Sequence, residues 1–193
     1  MASIYVLMGK SATGKDTIYK KIIERAELHL QEVVTYTTRP IRKNETEGVE
    51  YHFVDKEFFD KCKEKNNIIE YRMYNTVHGP WYYFMVNDGQ IDLQSEKKYI
   101  IIGTLESYEQ IRRYYGKGVV KPIYIEIDDG ERLTRALNRE KEQSTPKYEE
   151  MCRRFLADSK DYSEENLLKN EITVRYDNTD LNKCIEQIVS YIV

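Results

Sequence analysis

Apolar residues recur along this chain in two rhythms. Residues 3–8, SIYVLM, form a short run of β-formers that ends at Gly9, the pattern of a buried strand. After a glycine-containing loop, Ile18, Ile22, Ile23 and Ala26 fall on one face at helical spacing. The same alternation returns further on. Tyr99 to Ile102 reads as a strand ending in glycine, and LESYEQIRRYY as a helix that Thr104 would cap and Gly116 would terminate. KPIYIEID predicts another strand, ending at Asp128. EITVRYDN predicts one ending near Asn178, and LNKCIEQIVSYI is a closing amphipathic helix. Strands alternating with helices predict an α/β fold around a parallel sheet.

Two segments break that rhythm. Residues 33–86 are rich in Thr, Tyr and short β-like pieces, interrupted by one helix, KEFFDKCKEK, with Asp55 as its cap. Residues 130–159 are dense in charge. Both read as insertions at the C-terminal edge of the sheet, where ligands bind in such folds. The expected division is one domain over 1–193: a core of 1–32, 87–129 and 160–193, a lobe of 33–86 and a lid of 130–159.

Composition narrows the function classes. With 40% hydrophobic and 33% charged residues, the chain is expected to be folded and soluble. The net charge is only −3, so affinity for an anionic ligand has to come from local arginine and lysine clusters, and nucleic acid is disfavoured as a partner. No apolar run reaches membrane length. The opening MASIYVLMGK reads as the first strand rather than as a leader. Cys62, Cys152 and Cys184 have neither metal-type nor framework spacing and read as buried or half-buried thiols of a reducing, cytoplasmic compartment. The oligomeric state has no signature in the sequence.

The loop between the first strand and helix carries the chemistry. Gly9 to Lys15 has the spacing G-x-x-x-x-G-K of a phosphate-binding P-loop. Such a loop turns successive backbone N–H groups toward phosphate oxygens at a helix N-terminus, and the lysine reaches the terminal phosphates. Gly9, Ser11, Gly14, Lys15, Asp16 and Thr17 are therefore the candidate ATP-binding residues. The position after the lysine normally carries a hydroxyl that touches Mg²⁺; here it is Asp16, a carboxylate that can ligate the metal directly or through water. Thr17 offers a hydroxyl one residue late, but one step along a helix turns a side chain by about 100°.

Arg39 and Arg42 follow in TYTTRPIRKNETEGVEYHFV, with Tyr51 beyond them. Guanidinium forks bind phosphate bidentately, so two of them beside a phenol make a monophosphate cradle; an isolated R-x-x-R reads first as a solvated basic turn. Here the chain resembles the guanylate kinase family. The resemblance rests on the P-loop, then TTRPIR, Glu47-Gly48, YHFV and IIEY in order, with looser matches in RALNRE, MCRRF and DNTDL. It implies a three-layer P-loop kinase with a parallel core sheet, an inserted nucleoside-monophosphate lobe and a mobile lid. The implied activity is transfer of the γ-phosphoryl group of ATP to GMP or dGMP with Mg²⁺. It further implies that Thr38, Arg39, Arg42, Tyr51, Glu70 and His78 bind the acceptor, with Glu70 facing guanine. Arg135, Arg139 and Arg154 become lid and phosphate arginines, and Asn178 lies near adenine. Lys15, Arg39, Arg135 and Arg154 take the catalytic roles, and Asp16 the metal.

Chemistry supports part of this independently. Guanine presents N1–H and an N2 amino group side by side, and one carboxylate accepts both. Arg135 and Arg139 lie four apart on one helical face, although the interspersed Glu131, Glu140 and Glu142 also suit a solvated face. The chain departs from the family pattern at three places: Asp16 for a hydroxyl; His78-Gly79-Pro80, where the family usually has Tyr-Gly-Thr or Tyr-Gly-Ser; and Ile102 and Thr104, where acids usually close the strand. The phosphate contacts survive while two guanine contacts are lost. Two competing readings follow: a P-loop kinase for another (deoxy)nucleotide or small phosphorylated acceptor, and a catalytically silent module of the same fold. A GTPase switch is excluded, because no N-K-x-D base-reading motif is present.

Overall fold

The strand β1 (Ser3–Gly9) is buried from its second residue to its last, as its unbroken apolar run requires. The computed structural model describes residues 2–76 and 79–193. A P-loop precedes helix α1 (Lys15–Ile23), which buries Ile18 and Ile22. Ala26 does not extend that face. It opens a 3₁₀ turn, Ala26–Leu28, is itself exposed, and leaves Leu28 as the buried residue. His29 adopts a left-handed conformation that ends the turn and starts β2 (Leu30–Glu32).

The next segment builds a small sheet. β3 (Tyr36–Thr37) and β4 (His52–Phe53) pair in parallel. Helix α2 (Lys56–Glu64) starts where Asp55 accepts from the N–H of Phe58 at 2.7 Å, as its sequence predicts. β5 (Ile68–Thr76) and β6 (Gly79–Val86) are antiparallel partners. The chain then returns through β7 (Lys98–Ile102), α3 (Leu105–Tyr115) and β8 (Val120–Glu126). Gly116 ends α3 as expected, its N–H bonding the carbonyl of Arg112 at 2.9 Å. Helices α4 (Asp129–Lys141), α5 (Tyr148–Asp161) and α6 (Glu164–Lys169) precede β9 (Tyr176–Asp177) and α7 (Leu181–Ile192). The expected strand through EITVRYDN shrinks to two residues.

Among the described residues the strand orders are β2-β7-β1-β8-β9 in one sheet and β4-β3-β6-β5 in the other. Helical crossovers join the strands of the first sheet, as parallel neighbours require, and β8 and β9 pair in parallel with Ile125 opposite Tyr176. The chain divides into two compact units. Met1–Ile4, Gln31–Ile101 and Glu106–Lys121 form one; Tyr5–Leu30, Ile102–Leu105 and Pro122–Val193 form the other.

In the first unit the two faces of the smaller sheet have different tasks. Phe84 and Val86 of β6 join Phe59 and Cys62 of α2 in a core cluster, with Tyr82 stacked 4.2 Å from Phe59. A register shift between Ile68 and Glu70 then changes the parity of β5. Ile68 lies opposite Val86 and packs on the core cluster, and Tyr71 lies opposite Phe84 and meets Phe59 edge-on. Glu70 and Arg72 are thereby turned to the other face, opposite Met85 and Tyr83. In the second unit, α7 buries Cys184, Ile185, Ile188 and Ile192. Of the three thiols, Cys62 and Cys184 are buried, whereas Cys152 is exposed on α5 and corrects the expectation of a half-buried group.

Burial falls off along the core-side face, which predicts unequal mutational costs. Phe84→Ala, at a fully buried site, is expected to lose about 3–5 kcal/mol of unfolding free energy. Met73→Ala, 48% exposed on neighbouring β5, is expected to change it by about 0.5 kcal/mol or less. Urea unfolding followed by circular dichroism compares the two, and equal midpoints would refute the difference in burial along this face.

Candidate active site

Gly9 ends β1 in a space only glycine fits, since a Cβ there would stand 2.5 Å from the carbonyl oxygen of Ile125. Thr13, buried, closes the loop by donating its hydroxyl to the carbonyl of Lys10 at 2.9 Å. Gly14 is the N-cap of α1 with φ of +89°, and no side chain caps the helix. The N–H groups of the first turn are therefore not consumed by a capping side chain and suit an anion. Asn178, just beyond β9, braces the loop: its amide nitrogen donates to the carbonyl of Thr13 at 2.7 Å. Arg135 in turn donates to the backbone carbonyl of Asn178 at 3.2 Å. The side-chain oxygen of Asn178 is buried without a protein partner among the described residues, an acceptor that a ligand N–H would satisfy.

A cavity of about 560 Å³ opens on this loop. The structure brings to its walls Ser11, Gly14, Lys15, Asp16 and Thr17, the three arginines Arg135, Arg139 and Arg154, and Asn178. Every ATP-side residue expected from the sequence except the tightly packed Gly9 thus lines one space. Asp16 and Thr17 are both exposed at its edge. Asp16 also sits in the first turn of α1, where a carboxylate complements the helix dipole by about 0.3–1 kcal/mol. Arg154 is half-exposed and shares Glu150 with Arg153; hydrogen bonds from Arg153, chiefly, and from Arg154 hold that carboxyl down to about 2.

Sequence reasoning passed over the arginine that is packed deepest. Arg132 of α4 is fully buried. Its guanidinium lies 3.8 Å from the ring centroid of Phe155, and it bonds Asp129 at 2.9 Å and Asp158 at 3.5 Å. Asp158 also accepts the N–H of Ser11 at 2.7 Å, so α4 and α5 are tied to the P-loop itself. The signal available was Asp129 three residues before Arg132; nothing local marks Asp158.

In the other unit, the sheet face opposite the core carries the acceptor-side candidates. Arg39 is buried and gripped bidentately by Glu45, with both bonds at 2.6 Å, while its Nε has no protein partner among the described residues. A carboxylate held in a guanidinium fork uses the geometry that a phosphate uses. The cation rests 5.2 Å from the ring of Tyr51 and 5.3 Å from that of Phe53. Arg42 joins through its backbone N–H, 2.9 Å from Glu45, and leaves its side chain exposed. The hydroxyl of Thr38 accepts the N–H of Tyr82 at 2.9 Å, which makes it a register pin of the sheet as well as an acceptor candidate. Tyr51 meets Tyr83 edge-on at 5.6 Å.

Glu70 is 1% exposed and is held by Arg72, two residues along the same strand face, with Nε at 3.2 Å and Nη2 at 3.3 Å. Burial pushes the Glu70 carboxyl above the ordinary carboxylate value; Arg72 pulls it down and the charge of Glu106 adds to the rise. Ile102 is exposed at the end of β7, so no carboxylate stands there, and the nearest acid of that segment is Glu106 in the first turn of α3. Pro80 lies on β6 opposite Asn75 and offers no hydroxyl. His78 lies outside the described residues.

An anion-binding loop at the end of a buried strand, braced by Asn178 and facing three arginines, defines the class: a P-loop phosphotransferase. The family model for guanylate kinase matches residues 1–193. The guanylate kinase of Porphyromonas gingivalis is 27% identical over 188 residues, spanning 97% of this chain and 95% of that one. The guanylate kinase of Fusobacterium nucleatum subsp. nucleatum is 26% identical over 187 residues, spanning 97% and 91%. A crystal structure of guanylate kinase from Anaplasma phagocytophilum aligns with a TM-score of 0.68 over 99% of this chain and 84% of that chain; its 20% identity supports the shared fold. The chain belongs to the guanylate kinase family, a family of nucleoside monophosphate kinases.

The Arg39–Glu45 fork makes a pH-dependent prediction. Hydrogen bonds from Arg39 hold the Glu45 carboxyl below its ordinary value. Its stabilising contribution is therefore complete above the ordinary carboxylate range and is lost as pH falls through the depressed value. Glu45→Gln is expected to lose about 1–3 kcal/mol at pH 7, a difference that shrinks as both proteins are acidified. Equal urea midpoints for the two proteins at pH 7 would show that the fork contributes nothing.

Proposed function

We propose that this protein transfers the γ-phosphoryl group of ATP to GMP or dGMP, giving ADP and GDP or dGDP. The observation that carries the proposal is the cavity on the P-loop in which Lys15 is joined by Arg135, Arg139 and Arg154. In this reading residues 33–86 form the acceptor lobe and 130–159 the lid, on a core of 1–32, 87–129 and 160–193. The ATP phosphates lie along the loop N–H groups and Lys15. The acceptor phosphate binds Arg39, Arg42, Tyr51 and Thr38, with its oxygens entering the arginine fork now held by Glu45. Asn178 offers its unsatisfied oxygen to the adenine side. The site of action is the cytoplasm, where both nucleotides are available.

Phosphoryl transfer asks for positioning and charge neutralisation rather than a covalent enzyme intermediate. Lys15, Arg39, Arg135 and Arg154 neutralise charge that spreads over the transferring group. Closure of α4 and α5 excludes water, so that ATP is not wasted on hydrolysis. Among the described residues no group of three or more His, Cys, Asp or Glu side chains forms a metal cage. The single carboxylate among the described residues on the cavity wall, Asp16, fits Mg²⁺, which is commonly held by one or two carboxylates together with substrate phosphates and water. Asp16 is the carboxylate that would hold it, and the ion would neutralise negative charge on the substrate phosphates.

One observation favours a different acceptor: neither Pro80 nor Ile102 can hydrogen-bond a base through its side chain. A panel of GMP, dGMP, AMP, CMP and UMP with ATP consumption as readout separates the readings. GMP and dGMP are expected to be the best substrates, and a preference for any other base would overturn the assignment. Lys15→Ala is expected to lower kcat by about a thousandfold or more, since it removes a charge placed on the transferring phosphates. In Asp16→Ser, the Mg²⁺ concentration giving half-maximal turnover should rise several-fold; an unchanged Mg²⁺ dependence would remove the metal role from Asp16.

A further inference from the structure

The acceptor face contains a charged residue that the phosphate chemistry leaves unused. Arg72 follows Glu70 by one pleat of β5, and the bulge at Ile69 turns both away from the core. Both are nearly sequestered, with side-chain exposures of 11% for Arg72 and 1% for Glu70. Taking two charges out of water is costly, and an apolar pair at such a place would serve stability as well or better. The pair does not stand alone on its face. The Arg72 guanidinium lies 6.0 Å from the Tyr83 ring, Tyr83 touches Tyr51, and Tyr51 carries the cation of Arg39. Thr37, Tyr83 and Arg72 lie directly across three adjacent strands, a span of about 10 Å. A nucleotide reaches that far from its phosphate to its base.

We infer that Arg72 reads the acceptor base jointly with Glu70 and sets its preference for the O6/N1–H edge of guanine, an inference that rests on the GMP kinase reading above. The ion pair uses Nε and Nη2 of Arg72, and Nη1 has no part in the fork. A guanidinium has five N–H donors and a carboxylate about four lone-pair positions, so each partner keeps capacity for a ligand. On guanine, O6 accepts and N1–H donates. Arg72 donates to O6 and Glu70 accepts from N1–H, with the partners fixed against each other before the base arrives. On adenine both polarities are reversed: the amino group meets a donor and N1 meets a carboxylate. Arg72 thus supplies, from the neighbouring strand, the donor that Pro80 cannot.

Titration calorimetry without ATP, together with turnover with ATP, tests this on the wild type, Arg72→Ala and Arg72→Lys. The probes are GMP, IMP, AMP and 2-aminopurine riboside monophosphate, which lacks O6 and the N1 proton. The wild type is expected to bind GMP and IMP well and the other two poorly. Arg72→Ala should weaken GMP binding about tenfold or more and raise KM more than it lowers kcat. Its GMP:2-aminopurine ratio should collapse. Arg72→Lys keeps a charge beside Glu70 but not the planar fork; it should retain the thermal midpoint and still lose the ratio. If Arg72→Ala does not fold, Arg72→Lys decides alone. Ratios unchanged from wild type in the folded variants would overturn the inference. Phosphorylation of GMP with an Arg72-independent ratio would keep the kinase reading and end this one. Arg72-dependent binding without phosphoryl transfer would do the reverse.

Discussion

The left-handed turn at Gly14 is the constraint on which the phosphate site depends. It lets the loop close over the start of α1 without a side-chain cap and leaves helix-terminal N–H groups for an anion. It also allows close packing, because a Cβ at Gly14 would overlap the side-chain amide of Asn178 and approach Arg135 at 3.8 Å. The start of helix α1, helix α4 and the segment after β9 therefore converge on one backbone position. Asp158 adds a further tie through the N–H of Ser11. Helices α4 and α5 are thus tied to the loop by part-buried hydrogen bonds, while Arg139 and Arg154 stay exposed on the cavity wall.

Charge is arranged on a consistent principle. A buried guanidinium requires an anion close by. Arg39 has Glu45, Arg72 has Glu70, and Arg132 has Asp129 and Asp158. The arginines on the cavity wall differ: Arg139 and Arg154 are exposed. The first group is fixed by its carboxylate partners, and the second stays exposed beside the P-loop. A net charge of only −3 is compatible with this, because the cations are concentrated locally rather than spread over the surface.

Much of the fold was legible in the sequence because its signals are local. Gly9 and Gly116 punctuate strand and helix, Asp55 caps α2, and the 3.6-residue period fixes α3 and α7. Ala26 failed because the chain leaves the α1 helix at Arg25, whose N–H bonds the carbonyl of Ile22, before the next apolar repeat is reached. The strand expected before Asn178 shrank because only Tyr176 and Asp177 pair with β8. The site was legible in its parts and not in its pairings. The loop lysine announces itself by spacing, whereas Arg39 and Glu70 stand out only through the order of segments that resembles the guanylate kinase family. Glu45 six residues from Arg39 and Asp158 far along the chain from Ser11 follow no period a reader can project; Arg72 is one pleat from Glu70, but the bulge before them that turns both to one face has no signal in the sequence. They are products of tertiary register.

The central claim is a transfer from one nucleotide to another, and the fate of the γ-phosphorus tests it most directly. ATP labelled at that phosphorus, incubated with GMP, Mg²⁺ and the protein, is expected to place the label in the β-phosphate of GDP, with one ADP formed for each GDP. Label recovered as inorganic phosphate, or remaining in ATP while GMP stays unchanged, would contradict it.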